Sequence, residues 1–159
     1  MILPIVTLPA ISLRRRSTEI DPEFLTTPEF KELIKNIIPT MYHDDGVGIA
    51  APQVGYNIRL CVIGREAIPG KKDDLVLINP TWEKTSRKKE SDLEGCLSIP
   101  KTYGKVTRYK DIAVKAWNEK CEEIKFEAHG YFARVIQHEV DHLNGILFID
   151  KARGVYTID

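Results

Sequence analysis

The sequence has no apolar run approaching the roughly 18 to 20 residues of a membrane-spanning helix. It has no internal repeat and no low-complexity tract, which excludes solenoid and linker-like organisation. It also lacks charge of one sign. Lys+Arg and Asp+Glu both number 23, so neither nucleic acid nor an anionic membrane is recommended as principal partner. Cysteine is sparse. Cys61, Cys96 and Cys121 are odd in number and widely spaced, which argues against a disulfide framework, fits a reducing compartment and leaves room for a metal-binding or reactive thiol. The opening MILPIVTLPAISLRRRS carries its charges after the apolar run and is interrupted by prolines, unlike a secretory signal. It reads as a mature arm packing on the domain, with Arg14, Arg15 and Arg16 on a solvated face. What is present is 159 residues with 43% hydrophobic content, which fits one globular domain spanning 1–159.

The clearest helix starts at Thr27 as N-cap, with Pro28 at the first helical position and Glu29 in the first turn. Phe30, Leu33, Ile34, Ile37, Ile38, Met41 and Tyr42 form one apolar face reaching about His43, and Pro39 within it should kink the helix or remove a hydrogen bond. GVGIAAPQVG then reads as a loop where a backbone or ligand comes close. The middle of the chain reads as β. The expected strands are 58–63, 75–79, a polar exposed or edge strand over 81–90, and a hairpin of 106–117 with 122–128 turning at Asn118 to Cys121. A second helix is expected from Gly130 to Leu143, ended by Asn144-Gly145. The resulting class is α+β: mostly antiparallel strands around a central helix, with a second, N-terminal helix.

That second helix contains His138-Glu139-Val140-Asp141-His142, an HExxH pattern. Residues four apart on a helix are roughly 40° apart around the axis and about 6 Å along it, so both imidazoles can meet one metal ion. Glu139, at roughly 100° from His138, is badly placed as a ligand but well placed to take a proton from a metal-bound water. The third ligand must come from elsewhere, and Cys96 in Glu94-Gly95-Cys96-Leu97-Ser98 is the best candidate, since a metal would stabilise its thiolate. Cys61 and Cys121 read as a buried and an incidental thiol. Two His and one Cys leave a coordination position open, the mark of a catalytic site.

GVGIAAPQ (46–53), EGCLS (94–98) and QHEVDH (137–142), in this order, resemble the three signature motifs of the peptide deformylases, and the similarity covers nearly the whole chain. The resemblance implies hydrolytic removal of the formyl group from the N-terminal formylmethionine of new polypeptides. It implies one divalent metal ion, Fe2+ natively with Zn2+ or Ni2+ as alternatives, held by Cys96, His138 and His142. Glu139 would be general base and then general acid, and the Gln53 amide and the Leu97 N–H would donate to the oxyanion. Val47 and Gly48 would offer backbone groups to an extended substrate with Gly95 opposite. Glu94, Arg108 and Asp141 would orient the ligands from behind.

The implied setting is the bacterial-type cytoplasm, with an organelle left open, and the implied partners are formylmethionyl peptides and nascent chains. Many bacterial members continue into a C-terminal helix, whereas this chain runs nine residues past Asp150, so proximity to the ribosome is left open while docking through such a helix is not expected of it. Arg134, one helical turn before His138, stands where relatives often have an apolar residue near the methionine pocket, and its aliphatic stem is expected to line that pocket. Two other classes compete. A zincin-like metalloprotease usually finds its third ligand downstream as His or Glu, and neither residue follows His142. A metal-stabilised binding module would need neither Glu139 nor Gln53.

Overall fold

The computed structural model describes residues 1–159. Helix α1 spans Pro28–His43 and helix α2 spans Gly130–Leu143. Eight strands accompany them: β1 Gly48–Ala50, β2 Leu60–Ile63, β3 Leu75–Lys84, β4 Lys89–Cys96, β5 Ile99–Tyr109, β6 Asp111–Trp117, β7 Glu123–His129 and β8 Arg153–Thr157. They form a five-stranded sheet in the order β1-β2-β3-β6-β7 and a three-stranded sheet in the order β4-β5-β8, and every strand pair is antiparallel. The class is therefore α+β, with two helices and antiparallel sheets.

The larger sheet is covered on both faces, and the alternation along β2 shows how. Leu60 and Val62 face a cluster with Phe30, Leu33, Ile37 and Met41 of α1, while Cys61 and Ile63 face a cluster with Val135, Ile136 and Val140 of α2. A strand with period-two side chains and apolar layers on both sides must be apolar throughout, which is why LCVI reads as a continuous run. Burying each such side chain contributes about 1.5 to 3 kcal/mol. Thr27 caps α1 by accepting from the Phe30 N–H at 3.2 Å. The helix runs through Pro39, and the Thr40 hydroxyl donates to the Asn36 carbonyl at 2.6 Å beside it.

Three expectations are corrected. The segment GVGIAAPQVG is not a loop: Gly48–Ala50 is the edge strand β1 and Ala51–Val54 a 3-10 turn, because pairing with β2 supplies the hydrogen bonds that local propensity could not. The polar run 81–90 is not one strand but the end of β3 and the start of β4. The run 106–117 is broken at Lys110, with β5 in one sheet and β6 in the other. There the Lys110 N–H donates to the Lys88 carbonyl at 2.9 Å and its carbonyl accepts from Gly130 N–H at 2.8 Å, so the chain turns between sheets at a residue tied on both sides. Arg14, Arg15 and Arg16 are exposed as expected, and Arg14 pairs with Asp150 at the surface.

The N-terminal arm fastens what will matter at the site. Val6 N–H donates to the Gln53 carbonyl at 2.7 Å and Leu8 N–H to the Ser98 carbonyl at 3.0 Å. At the end of α2 the Leu143 carbonyl accepts from Ser17 N–H at 2.8 Å and from Arg59 at 2.9 Å, satisfying a group that helix ends leave orphaned. Gly145 is required there: its φ is +75°, and a Cβ would lie 2.4 Å from the Arg14 carbonyl oxygen.

Candidate active site

A cleft of about 810 Å³ opens between β1 and β4, which are edge strands of different sheets, and α2 forms its floor. Cys96 comes from the end of β4, and His138 and His142 come from one face of α2. One ligand atom from each lies within 4.8 Å of the others, and Cys96 Sγ is 3.2 Å from His142 Nε2. A thiolate and two imidazoles converging at this separation fit a single transition-metal ion, with distances of about 2.0 to 2.3 Å to each donor. The His142 Nδ1 is buried without a partner, and burial together with the neighbouring His138 and Arg108 pushes its pKa well below the ordinary value, favouring the neutral imidazole that metals bind.

Glu94 fixes His138. Its Oε1 lies 2.9 Å from His138 Nδ1, which directs the other ring nitrogen toward Cys96. Glu94 also accepts from Arg108 Nε at 2.6 Å and Nη2 at 2.9 Å, while Arg108 Nη1 donates to Asp141 at 2.9 Å. Burial alone would raise the Glu94 pKa, but Arg108 and His138 outweigh it and hold the carboxyl well below its usual range. Asp141 in turn receives Lys151 at 3.1 Å. The three residues expected behind the ligands thus meet in one buried network.

Glu139 is buried, with Oε1 unpartnered, and burial pushes its pKa up to about 7. Its Oε2 rests against β1: a Cβ on Gly48 would lie 2.7 Å from that oxygen and 2.9 Å from Val135 Cγ1. Gly48 therefore makes room for Glu139. Gln53 is 1% exposed and held rigidly. Its Oε1 accepts from Ala50 N–H at 2.9 Å, and its Nε2 points at Ser98 Oγ, 3.2 Å away, and Cys96 Sγ, 3.5 Å away. Leu97 lies in the short connection from β4 to β5, next to Cys96.

The remaining candidates are placed less simply. The Val47 carbonyl is already taken by Gly64 N–H at 2.8 Å. Gly95 lies under the ring of Tyr103, where a Cβ would come within 2.8 Å of a ring carbon, so its bareness serves packing across the β4–β5 pair. Arg134 borders the cleft as expected, and its head is engaged behind it, where Nη1 donates to Glu94 at 2.6 Å. Sequence reasoning missed Ser98, which supports Gln53, and Gln137, which clamps both the N–H and the carbonyl of Tyr109 at 3.2 and 2.8 Å. Both stand inside the quoted motifs, but nothing local separates a buried clamp from a solvated side chain.

The polypeptide deformylase family model matches residues 2–156. Peptide deformylase 1 of Clostridium acetobutylicum is 50% identical over 137 residues, covering 86% of this chain and 83% of that protein. The crystal structure of peptide deformylase from Thermotoga maritima superposes with a TM-score of 0.87 at 37% identity, over 96% of this chain and 99% of that one. A class I type b peptide deformylase from Acinetobacter baumannii, bound to Met-Ala-Ser, gives a TM-score of 0.89 at 31% identity, over 95% of this chain and 98% of that one. A match of this extent, on a chain whose Cys96, His138, Glu139 and Gln53 line one cleft with His142 against Cys96, places it: the chain belongs to the polypeptide deformylase family of hydrolases.

Proposed function

We propose that the chain, acting as one catalytic domain in the bacterial cytoplasm, removes the formyl group from formylmethionyl peptides and nascent chains and releases formate. The observation that carries this reading is the placement of three metal-type donors within 4.8 Å of one another, beside Glu139 and Gln53, in a cleft bounded by two sheet edges. Cys96, His138 and His142 would hold a divalent ion, Fe2+ by preference and Zn2+ or Ni2+ as substitutes, since thiolate with imidazole suits all of these. Bound there, the ion supplies the Lewis acidity that makes water nucleophilic near neutral pH.

The chain's own residues do the rest. An extended peptide can lie between the edges of β1 and β4 in the manner of an added strand. Water oxygen adds to the formyl carbon while Glu139 takes the proton it sheds, and a carboxyl whose pKa is about 7 is well matched to that exchange. The negative charge that develops on the formyl oxygen receives the Gln53 amide and the Leu97 N–H. One such donor is typically worth about 3 kcal/mol. When the C–N bond breaks, Glu139 gives its proton to the departing amine, so that formate and a free N-terminus result. The Acinetobacter baumannii relative is bound to Met-Ala-Ser, and a peptide beginning with Met is the occupant proposed for this cleft.

Formate release from a formyl-Met-peptide, with acetyl-Met-peptide as control, tests the reading. Turnover should require the formyl group, disappear on chelation and return with Fe2+ or Co2+. Equal hydrolysis of both peptides, or turnover indifferent to chelation, would overturn it.

A further inference from the structure

Cys96 stands on β4, whereas both histidines stand on α2, yet no main-chain hydrogen bond joins these two elements. Their relative position is therefore set by side chains, and Arg134 reaches furthest. Buried in the first half of α2, it spreads its guanidinium over three acceptors on two strands. Nη1 donates to Glu94 Oε2 at 2.6 Å and to the Val106 carbonyl of β5 at 2.8 Å, and Nη2 donates to the Glu90 carbonyl of β4 at 2.8 Å. The last is the one hydrogen bond from an α2 side chain to the β4 main chain. β4 is an edge strand whose one strand partner is β5, with Glu90 opposite Arg108, so the tie from Arg134 is what adds the helix to that pair.

We infer that Arg134 is a positioning residue for the metal site: its planar fork locks the edge strand carrying Glu94 and Cys96 onto the helix carrying His138 and His142. The geometry suits an arginine and not a lysine. Three acceptors on two strands converge on two terminal nitrogens in one plane, which a guanidinium meets and an ammonium, as a point charge, does not. Arg108 alone cannot do this work. Its side chain reaches Glu94 and Asp141 from β5 and makes no bond to the main chain of β4. With Arg134 in place, Glu94 Oε2 has two donors and Oε1 has Arg108 and His138, so the carboxylate cannot rotate without breaking charge-assisted bonds.

The inference rests on the metal-site reading above, and one experiment separates the two. Co2+ is titrated into the metal-free wild-type chain, Arg134→Met and Arg134→Lys, with dissociation constants measured by chelator competition and the thiolate-to-cobalt charge-transfer band recorded. Methionine keeps an apolar stem at the cleft, while lysine keeps the charge on Glu94. Arg134→Met should bind Co2+ roughly 10- to 100-fold more weakly, the range expected when a group supporting a ligand is lost, with an altered band. Arg134→Lys should recover only part of the loss. If Arg134→Met does not fold, the lysine variant decides alone: wild-type affinity and an unchanged band there would overturn the inference. So would a melting temperature that falls in either variant while affinity and band stay as in wild type. A wild-type complex with no thiolate band would instead overturn the assignment of Cys96 as ligand, and this inference with it.

Discussion

Gly48→Ala tests whether the bare Cα of β1 exists to seat Glu139. The backbone of Gly48 is ordinary strand paired with Ile63, so the added methyl introduces no dihedral strain and its effect is purely spatial. Its Cβ would fall 2.7 Å from Glu139 Oε2 and 2.9 Å from Val135 Cγ1, where ordinary contact begins at 3.4 Å, so the carboxylate oxygen must retreat by about 0.7 Å. Val135 is β-branched and packed in the core, which leaves rotation of Glu139 as the easier relief. That rotation displaces the proposed general base, and misplacement on the order of 1 Å can cost 10²-fold. We therefore expect kcat to fall roughly 10- to 100-fold. Overpacking should cost about 1 to 3 kcal/mol, or roughly 3 to 10 °C in Tm for a chain of this size. Metal content should be unchanged, because the ligands lie away from β1, and KM should move little, because the peptide groups of Gly48 remain. Steady-state kinetics on a formyl-Met-peptide with metal content assayed alongside decide it. A metal-loaded variant with wild-type kcat and raised KM would refute the reasoning and leave Gly48 as substrate edge alone.

Cys96→Ser, His138→Ala and His142→Ala should each lose most bound metal, whereas Glu139→Ala should retain it without turnover. Near-stoichiometric metal in the Cys96 variant would sink the third ligand. Gln53→Ala should lower kcat by on the order of 10² or more with little change in KM. It should also lose about 1 to 2 kcal/mol of stability, because Ala50 N–H is left without its acceptor. Leu97→Ala should cost much less, since the N–H survives. In a thiol-reagent titration of the metal-loaded chain only the exposed Cys121 should react. Chelation should uncover Cys96, and Cys61, buried and with its pKa pushed up by that burial, should react only on unfolding. Prompt modification of Cys61 in the native state would contradict the packing of β2.

Where structure is local, the sequence determined it alone. The bounds of α1 follow from Thr27, Pro28 and a stripe of period 3.6, and those of α2 from its periodicity and Asn144-Gly145. The β6–β7 hairpin follows from its turn at 118–121. HExxH is equally local, because four residues of helix suffice to put two imidazoles on one face. Tertiary structure decided everything that depends on residues far apart in the chain. Only pairing with β2 makes a strand of Gly48–Ala50, and only two sheets competing for one continuous β-prone run break it at Lys110. The same holds for the charged residues behind the site. Glu94, Arg108, Arg134 and Asp141 have the composition of surface residues, and nothing in their spacing says otherwise. They are buried because each neutralises another across strand and helix, a compensation that exists only once the fold has brought them within hydrogen-bond reach.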